Sequence, residues 1–178
     1  LSAKECGVKL AHIEAGVRSY QIGQIEENYR ILVDHMADYL FCPNERALEN
    51  LKLDKLTNAK GWVVGDVLYD RFIGNRKHGG YILLTVHRQE NLSRLEKIME
   101  DIRKLEKRVI FPVHPHTKEE LNLLTIPGNV EIIEPVGHKE MLELIKNAER
   151  VITDSGGVQR EAFWSGTPFS ILREKTEW

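Results

Sequence analysis

A chain of 178 residues has room for one domain or a compact pair, and buries enough surface to need no staple. A formal charge of -2 with 29% charged residues gives no electrostatic case for nucleic acid or for a membrane surface. Cys6 and Cys42 lack metal or redox spacing and read as reduced thiols of a cytoplasmic protein, with no signal peptide visible and no apolar run near the ~18 residues of a membrane span.

The apolar pattern alternates short strand-like runs with helical ones. Residues 9–13 follow a helix end closed by Gly7 and read as a strand. Residues 26–39 carry Tyr29, Leu32, Val33 and Met36 near helical spacing, so they read as a helix. Residues 40–43 form a brief strand or turn, and Asn44 caps a helix over 45–51. Trp62-Val63-Val64-Gly65 is a strand ending in a turn. The polar, glycine-containing stretch 70–80 is the expected connection between two domains, 1–69 and 81–178.

A regular rhythm follows. Residues 81–87 are a continuous apolar strand, of the kind buried on both faces of a parallel sheet. Residues 92–107 read as one helix with Leu95, Ile98, Met99, Ile102 and Leu105 on one face. The basic cluster at its end is interleaved with Asp101 and Glu106 and reads as a solvated face. Then come a strand over 109–113, a helix capped by Thr117 and running to 124, and a strand over 130–133. A helix over 139–147, a strand over 151–153, a helix over 158–165 closed by Gly166 and a strand over 169–172 complete the chain. This alternation predicts an α/β fold with a doubly wound parallel sheet.

In such a sheet the ligand sits at the carboxyl ends of the strands. Polar residues collect at those ends: His87-Arg88, His114-Pro115-His116, Glu134-Pro135, Asp154-Ser155-Gly156-Gly157 and Arg173-Glu174. The fourth group is the most informative. A strand that ends in Ser155-Gly156-Gly157 and turns into a helix presents backbone N–H groups at a positive dipole end, a seat for phosphate. The two glycines let a ligand approach the backbone closely. Glu161, about one helical turn on, can point back at whatever the turn holds.

Other residues carry two readings each. Glu14, in His12-Ile13-Glu14-Ala15-Gly16, is either half of a surface ion pair with Arg18 or an acid/base group. Glu26-Glu27 opens a helix, which the helix dipole alone explains, and a carboxylate pair there can also be catalytic. His87 is either a satisfied core histidine or a phosphate or proton-transfer group, and its place at a strand end beside Arg88 favours the second. His114 and His116 resemble a metal pair, but no Asp or Cys cluster lies nearby, so no metal is expected. His78 and His138 read as surface residues, and His35 beside Asp34 as structural.

Taken in order, five motifs resemble the non-hydrolysing UDP-N-acetylglucosamine 2-epimerases. They are His12-Ile13-Glu14-Ala15-Gly16-Val17-Arg18-Ser19, Glu26-Glu27-Asn28-Tyr29-Arg30, Thr85-Val86-His87-Arg88-Gln89-Glu90-Asn91, Thr153-Asp154-Ser155-Gly156-Gly157-Val158-Gln159-Arg160-Glu161-Ala162 and Leu172-Arg173-Glu174-Lys175-Thr176-Glu177. The resemblance implies a GT-B-type fold of two Rossmann-like domains with the substrate in the cleft between them. This chain would hold a partial first domain and a nearly complete second one. The implied reaction interconverts UDP-N-acetylglucosamine and UDP-N-acetylmannosamine. It proceeds by elimination of UDP through a 2-acetamidoglucal and re-addition, with no nicotinamide and no metal.

Matched residue by residue, the resemblance makes Glu14 and Glu26 acid/base groups and puts His87 near the diphosphate and the leaving oxygen. Ser155, Gly156 and Gly157 would cradle the phosphates, Glu161 hold the ribose hydroxyls, and Arg173 contact the uridine side. Arg88 and His114 would line the cleft. Tyr29 stands where the family's motif has asparagine, and Arg160 where many members carry a second glutamate. The ends at Leu1 and Trp178 read as internal, so the chain is expected to be a fragment. It lacks the family's opening strands and their catalytic aspartate. Members are often dimers, which leaves a homodimer open. Three alternatives stand beside the main reading: a 2-epimerase of a modified UDP-amino sugar, suggested by Thr176-Glu177-Trp178, a UDP-binding module without chemistry, and a GT-B glycosyltransferase.

Overall fold

The computed structural model describes residues 2–21, 23–56, 60–72, 76–77, 79–113 and 115–178, without the side chains of 71, 115 and 116. The chain divides into two compact units, Leu1–Arg71 with Lys175–Trp178, and Phe72–Glu174.

The first unit begins with α1 (Ser2–Glu5), β1 (Ala11–Ile13) and α2 (Ile25–Met36), followed by β2 (Tyr39–Cys42), α3 (Glu45–Leu53), β3 (Lys60–Val63) and a 3₁₀ turn at Tyr69–Arg71. The sheet is parallel in the order β1-β2-β3, with His12 opposite Leu40 and Leu40 opposite Gly61. Asn44 caps α3 as the sequence indicates, its Oδ1 accepting the Ala47 N–H at 2.8 Å. Helix α2 stops three residues early. The Asp38 carboxylate takes the Leu10 N–H at 2.8 Å and Lys4 Nζ at 2.7 Å, which starts the strand at Tyr39.

The inward face of α2 is not purely apolar. Tyr29 and Leu32 are exposed, while Glu27 and Asp34 are buried. Those two acids satisfy buried backbone amides, which outweighs the preference of an apolar stripe for the core.

The last four residues, expected with the second domain, pack with the first unit. Trp178 lies against the core of Ala15, Val17, Leu40, Cys42 and Leu51. Glu177 Oε1 accepts from Arg30 Nη2 at 3.1 Å. A large aromatic with an apolar seat and a paired carboxylate holds that segment down.

The second unit contains β4 (Ile82–Thr85), α4 (Gln89–Leu92), α5 (Leu95–Arg103), β5 (Val109–Pro112), α6 (Pro115–Leu121), β6 (Val130–Ile133), α7 (His138–Asn147), β7 (Arg150–Thr153), α8 (Gly156–Ser165) and β8 (Phe169–Ile171). All pairings are parallel, in the order β6-β5-β4-β7-β8. Every residue of β4 is buried. Ile82 and Leu84 pack with Leu95, Met99, Ile102 and Phe111, and Leu83 packs with Ile145, Val151, Val158 and Ala162. Side chains alternate across the sheet, so a strand covered on both faces must be apolar throughout. Each such side chain contributes about 1.5–3 kcal/mol of burial.

Two local expectations fail for visible reasons. The helix expected over 92–107 is broken, because Ser93 Oγ donates to Glu90 O at 2.9 Å and Arg94 leaves the helical region at φ -112, ψ 13. Thr117 is not a cap. Helix α6 already begins at Pro115, and the Thr117 hydroxyl turns to Val86 O at 3.4 Å.

Candidate functional site

In the second unit the strand order reverses between β4 and β7, and ligands of such sheets gather at that point. The loop after β7 is Asp154-Ser155, and α8 starts at Gly156. Ser155 is the N-cap and its Oγ accepts the Val158 N–H at 3.4 Å. The Ser155 N–H is taken by Thr153 Oγ1 at 2.9 Å. First-turn N–H groups of a helix have no acceptor within the helix, so those of Gly156 and Gly157 can serve an anion. A Cβ on Gly157 would meet only Ser155 Oγ, at 3.8 Å, an ordinary contact. The protein's own packing therefore does not demand glycine there, whereas a ligand lying on the backbone would.

Glu161, on the next turn of α8, is buried, and its Oε1 lies 2.7 Å from His138 Nε2 at the start of α7. Arg173 follows β8 and is half-buried.

The β4 end is tied to the β7 end through Asp154. Its carboxylate accepts the His87 N–H at 3.0 and 3.1 Å, the Arg88 N–H at 2.9 Å and Asn91 Nδ2 at 3.0 Å. His87 Nδ1 lies 3.3 Å away and half of its side chain is exposed. Burial pushes the Asp154 pKa up, but hydrogen bonds from His87, Asn91 and the Arg88 and His87 amides outweigh it and hold the carboxyl at about 2. Arg88 Nη1 also reaches Glu90 at 3.7 Å.

In the first unit the segment after β1 is bent by Glu14 and Gly16, at φ +72 and +76. A Cβ on Gly16 would sit 2.1 Å from Ala47 O, so only glycine fits. Asp34, fully buried on α2, closes the bend. Its Oδ1 lies 2.5 Å from His12 Nδ1, and its Oδ2 accepts the Gly16 N–H at 3.1 Å and pairs with Arg18 Nη2 at 2.7 Å. Arg18 reaches on to Asp54 at 2.8 Å. Burial raises the Asp34 pKa, yet the hydrogen bonds from His12 and Arg18 bring it below the ordinary value. Glu14, half-buried, is thus held between two clamped neighbours, and the guanidinium expected to pair with it on the surface is buried with Asp34 and Asp54.

The structure separates Glu26 from Glu27. Glu26 is exposed in the first turn of α2. Glu27 is buried and accepts the Ser19 and Tyr20 N–H groups at 2.9–3.1 Å.

Within the second unit, His87, Arg88, Ser155, Gly156, Gly157, Glu161 and Arg173 all follow or adjoin the carboxyl ends of strands. Glu14 and Glu26 lie in the first unit. His114 lies outside the described residues, as does His78. Among the described residues no group of three His, Cys, Asp or Glu is placed to hold a metal ion, and no helix is long and apolar enough to cross a membrane. Burial pushes the Cys42 thiol up to about 11, which keeps it from acting as a thiolate.

Sequence reasoning gave no role to Asp34 or Asp154, read Glu27 only as part of a first-turn pair that can be catalytic, and read His138 as a surface residue. Glu27 and Asp34 carry a readable signal, since they lie two helical turns apart on one side of α2. Asp154 stands directly after a strand, in the motif already singled out. His138 carries no local signal, because its partner Glu161 is distant in sequence.

Residues 1–178 match the family described as UDP-N-acetylglucosamine 2-epimerase. A UDP-N-acetylglucosamine 2-epimerase of Methanococcus maripaludis is 39% identical over 207 residues, covering 99% of this chain and 57% of that protein. A UDP-2,3-diacetamido-2,3-dideoxy-D-glucuronate 2-epimerase of Pseudomonas aeruginosa is 40% identical over 196 residues, covering 100% of this chain and 55% of that protein. The crystal structure of the Methanocaldococcus jannaschii UDP-GlcNAc 2-epimerase in complex with UDP-GlcNAc and UDP matches with a TM-score of 0.83 at 35% identity, covering 98% of this chain and 56% of that one. The chain thus spans little more than half the length of these relatives, and its two α/β units have the GT-B-type, Rossmann-like character of such neighbours.

Proposed function

Since the chain belongs to the UDP-N-acetylglucosamine 2-epimerase family, we propose that it serves the interconversion of UDP-N-acetylglucosamine and UDP-N-acetylmannosamine. The observation that carries this reading is the Ser155-Gly156-Gly157 start of α8 at the switch point of the sheet, with Glu161 one turn on. Helix N–H groups would hold the diphosphate and the Glu161 carboxylate the ribose diol. Arg173 would face the uridine side, with Arg88 lining the site. His87 would stand by the leaving oxygen.

The reaction we assign is elimination and re-addition. A base takes the proton from C2, a double bond forms between C1 and C2, and the C1–O bond breaks with its electron pair leaving on UDP. Return of a proton to the opposite face of C2, with UDP adding back at C1, completes the inversion. Glu14 and Glu26 are the groups we assign to these proton transfers. Incubation with UDP-N-acetylglucosamine in deuterated water should yield UDP-N-acetylmannosamine labelled at C2. Absence of both label and product would refute the epimerase reading. Calorimetric binding of UDP without turnover would identify a nucleotide-binding module.

A second reading rests on the Pseudomonas aeruginosa relative, which is as similar as any other reported above. In it the substrate is a UDP-amino sugar with further substituents. Faster turnover of a diacetamido UDP-uronate than of UDP-N-acetylglucosamine would decide for it.

A further inference from the structure

His87 and Asp154 form a histidine–carboxylate pair across the ends of β4 and β7. The Asp154 side chain is fully buried, and the His87 side chain is 46% exposed. Two backbone amides and Asn91 Nδ2 hold the carboxylate in place, and Asn91 is fixed in turn by Leu172 O at 2.9 Å. The carboxylate cannot swing away, and the imidazole can meet it only through Nδ1, at 3.3 Å.

An ionised carboxylate only accepts hydrogen bonds. Nδ1 must therefore be the donor and carry the hydrogen. Nε2, across the ring in a half-exposed side chain, is then the nitrogen left to exchange protons.

We propose that Asp154 is a positioning residue that locks His87 in the Nδ1–H tautomer and aims Nε2 at the diphosphate oxygen leaving with UDP. The inference rests on the nucleotide reading given above. In the elimination direction the ring enters doubly protonated; as the C1–O bond breaks, the departing oxygen keeps the electron pair and takes the Nε2 proton, which leaves the neutral Nδ1–H tautomer. On return, Nε2 takes the proton back as that oxygen bonds to C1. The Nδ1 hydrogen stays with Asp154 throughout, so the ring does not turn during the cycle. A carboxylate with a purely structural role would fasten the loop and leave the tautomer mixed.

The test is nitrogen-15 NMR of the imidazoles in the intact chain at pH about 9, more than two units above the ordinary histidine value. His87→Gln assigns the signal. His87 should show a protonated Nδ1 and a bare Nε2. Asp154→Asn should move it toward Nε2–H and weaken UDP binding roughly tenfold by calorimetry. An Nε2–H tautomer in the unmodified protein overturns the proposal, and that measurement requires no variant to fold. So does an Asp154→Asn protein that keeps both the tautomer and the affinity. If the unmodified chain takes up no UDP, the nucleotide reading fails instead, while the tautomer still decides whether Asp154 orients the ring.

Discussion

His12 Nδ1 lies 2.5 Å from Asp34 Oδ1 beneath the bend that carries Glu14. The pairing repeats in the first unit what His87 and Asp154 do in the second. In both, a buried aspartate accepts a histidine Nδ1 and a backbone N–H of the loop after a strand. The aspartate comes from a neighbouring element, so the loop is fixed by tertiary contact rather than by its own turn chemistry.

Asp34→Asn should cost roughly 3 kcal/mol of unfolding free energy. Arg18 would remain buried with one charged partner fewer, and breaking a buried pair from one side leaves a charge poorly compensated. Urea unfolding at pH 7 with an unchanged m-value measures it. A loss below about 0.5 kcal/mol, the scale of a surface change, would show that the network does not hold the bend.

Asp154 makes folding sensitive to acid. Its folded pKa, about 2, is depressed below the ordinary 3.8. A depressed carboxyl stabilises fully above its unfolded value and loses that contribution as pH falls through the folded one. The window is therefore about pH 4 down to about pH 2, and the contribution at neutral pH is roughly 2 kcal/mol. Asp154→Asn should cost about that at pH 7, and the difference should shrink toward pH 2. Equal costs at both ends would contradict the assignment.

Two glycines should respond in opposite ways. Gly16→Ala faces a left-handed φ and a carbonyl 2.1 Å from the new Cβ, so a loss of roughly 3 kcal/mol or more is expected, with a falling Tm. Gly157→Ala meets only Ser155 Oγ at 3.8 Å and gains helix propensity, so the fold should hold within about 1 kcal/mol. UDP binding should nonetheless weaken, because the methyl group occupies the approach to the α8 amides. Calorimetry beside thermal melts separates the two effects.

Glu161→Gln should weaken UDP binding by roughly 10- to 100-fold, the scale of a charged hydrogen bond. The same change should matter far less for 2′-deoxy-UDP, which lacks one hydroxyl of the diol. An equal loss for both nucleotides would place Glu161 away from the ribose.

Much of the fold was legible locally. The alternation of apolar runs and helical stripes gave the parallel sheets, Asn44 marked the start of α3, and Gly166, at φ +73, closes α8 as expected. These signals lie within a few residues of the elements they specify. The break at Ser93 and Arg94 was not read, since the apolar residues run on through it at helical spacing while the Ser93 Oγ bond to Glu90 O leaves no mark in that pattern.

The candidate site divides the same way. Sequence alone determined the phosphate-type turn, Ser155-Gly156-Gly157 before a helix, and the residues that collect at strand ends. It also carried the motifs by which the family is known. Only the tertiary structure decided which carboxylates are buried and whom they hold. It buried Glu27 and Asp34 while exposing Tyr29 and Leu32 of the same helix, set His138 against Glu161, and placed Asp154 under His87. The physical reason is range. A turn or a helix stripe is fixed by neighbours in sequence, but a buried charge is tolerated only where partners from distant segments satisfy it.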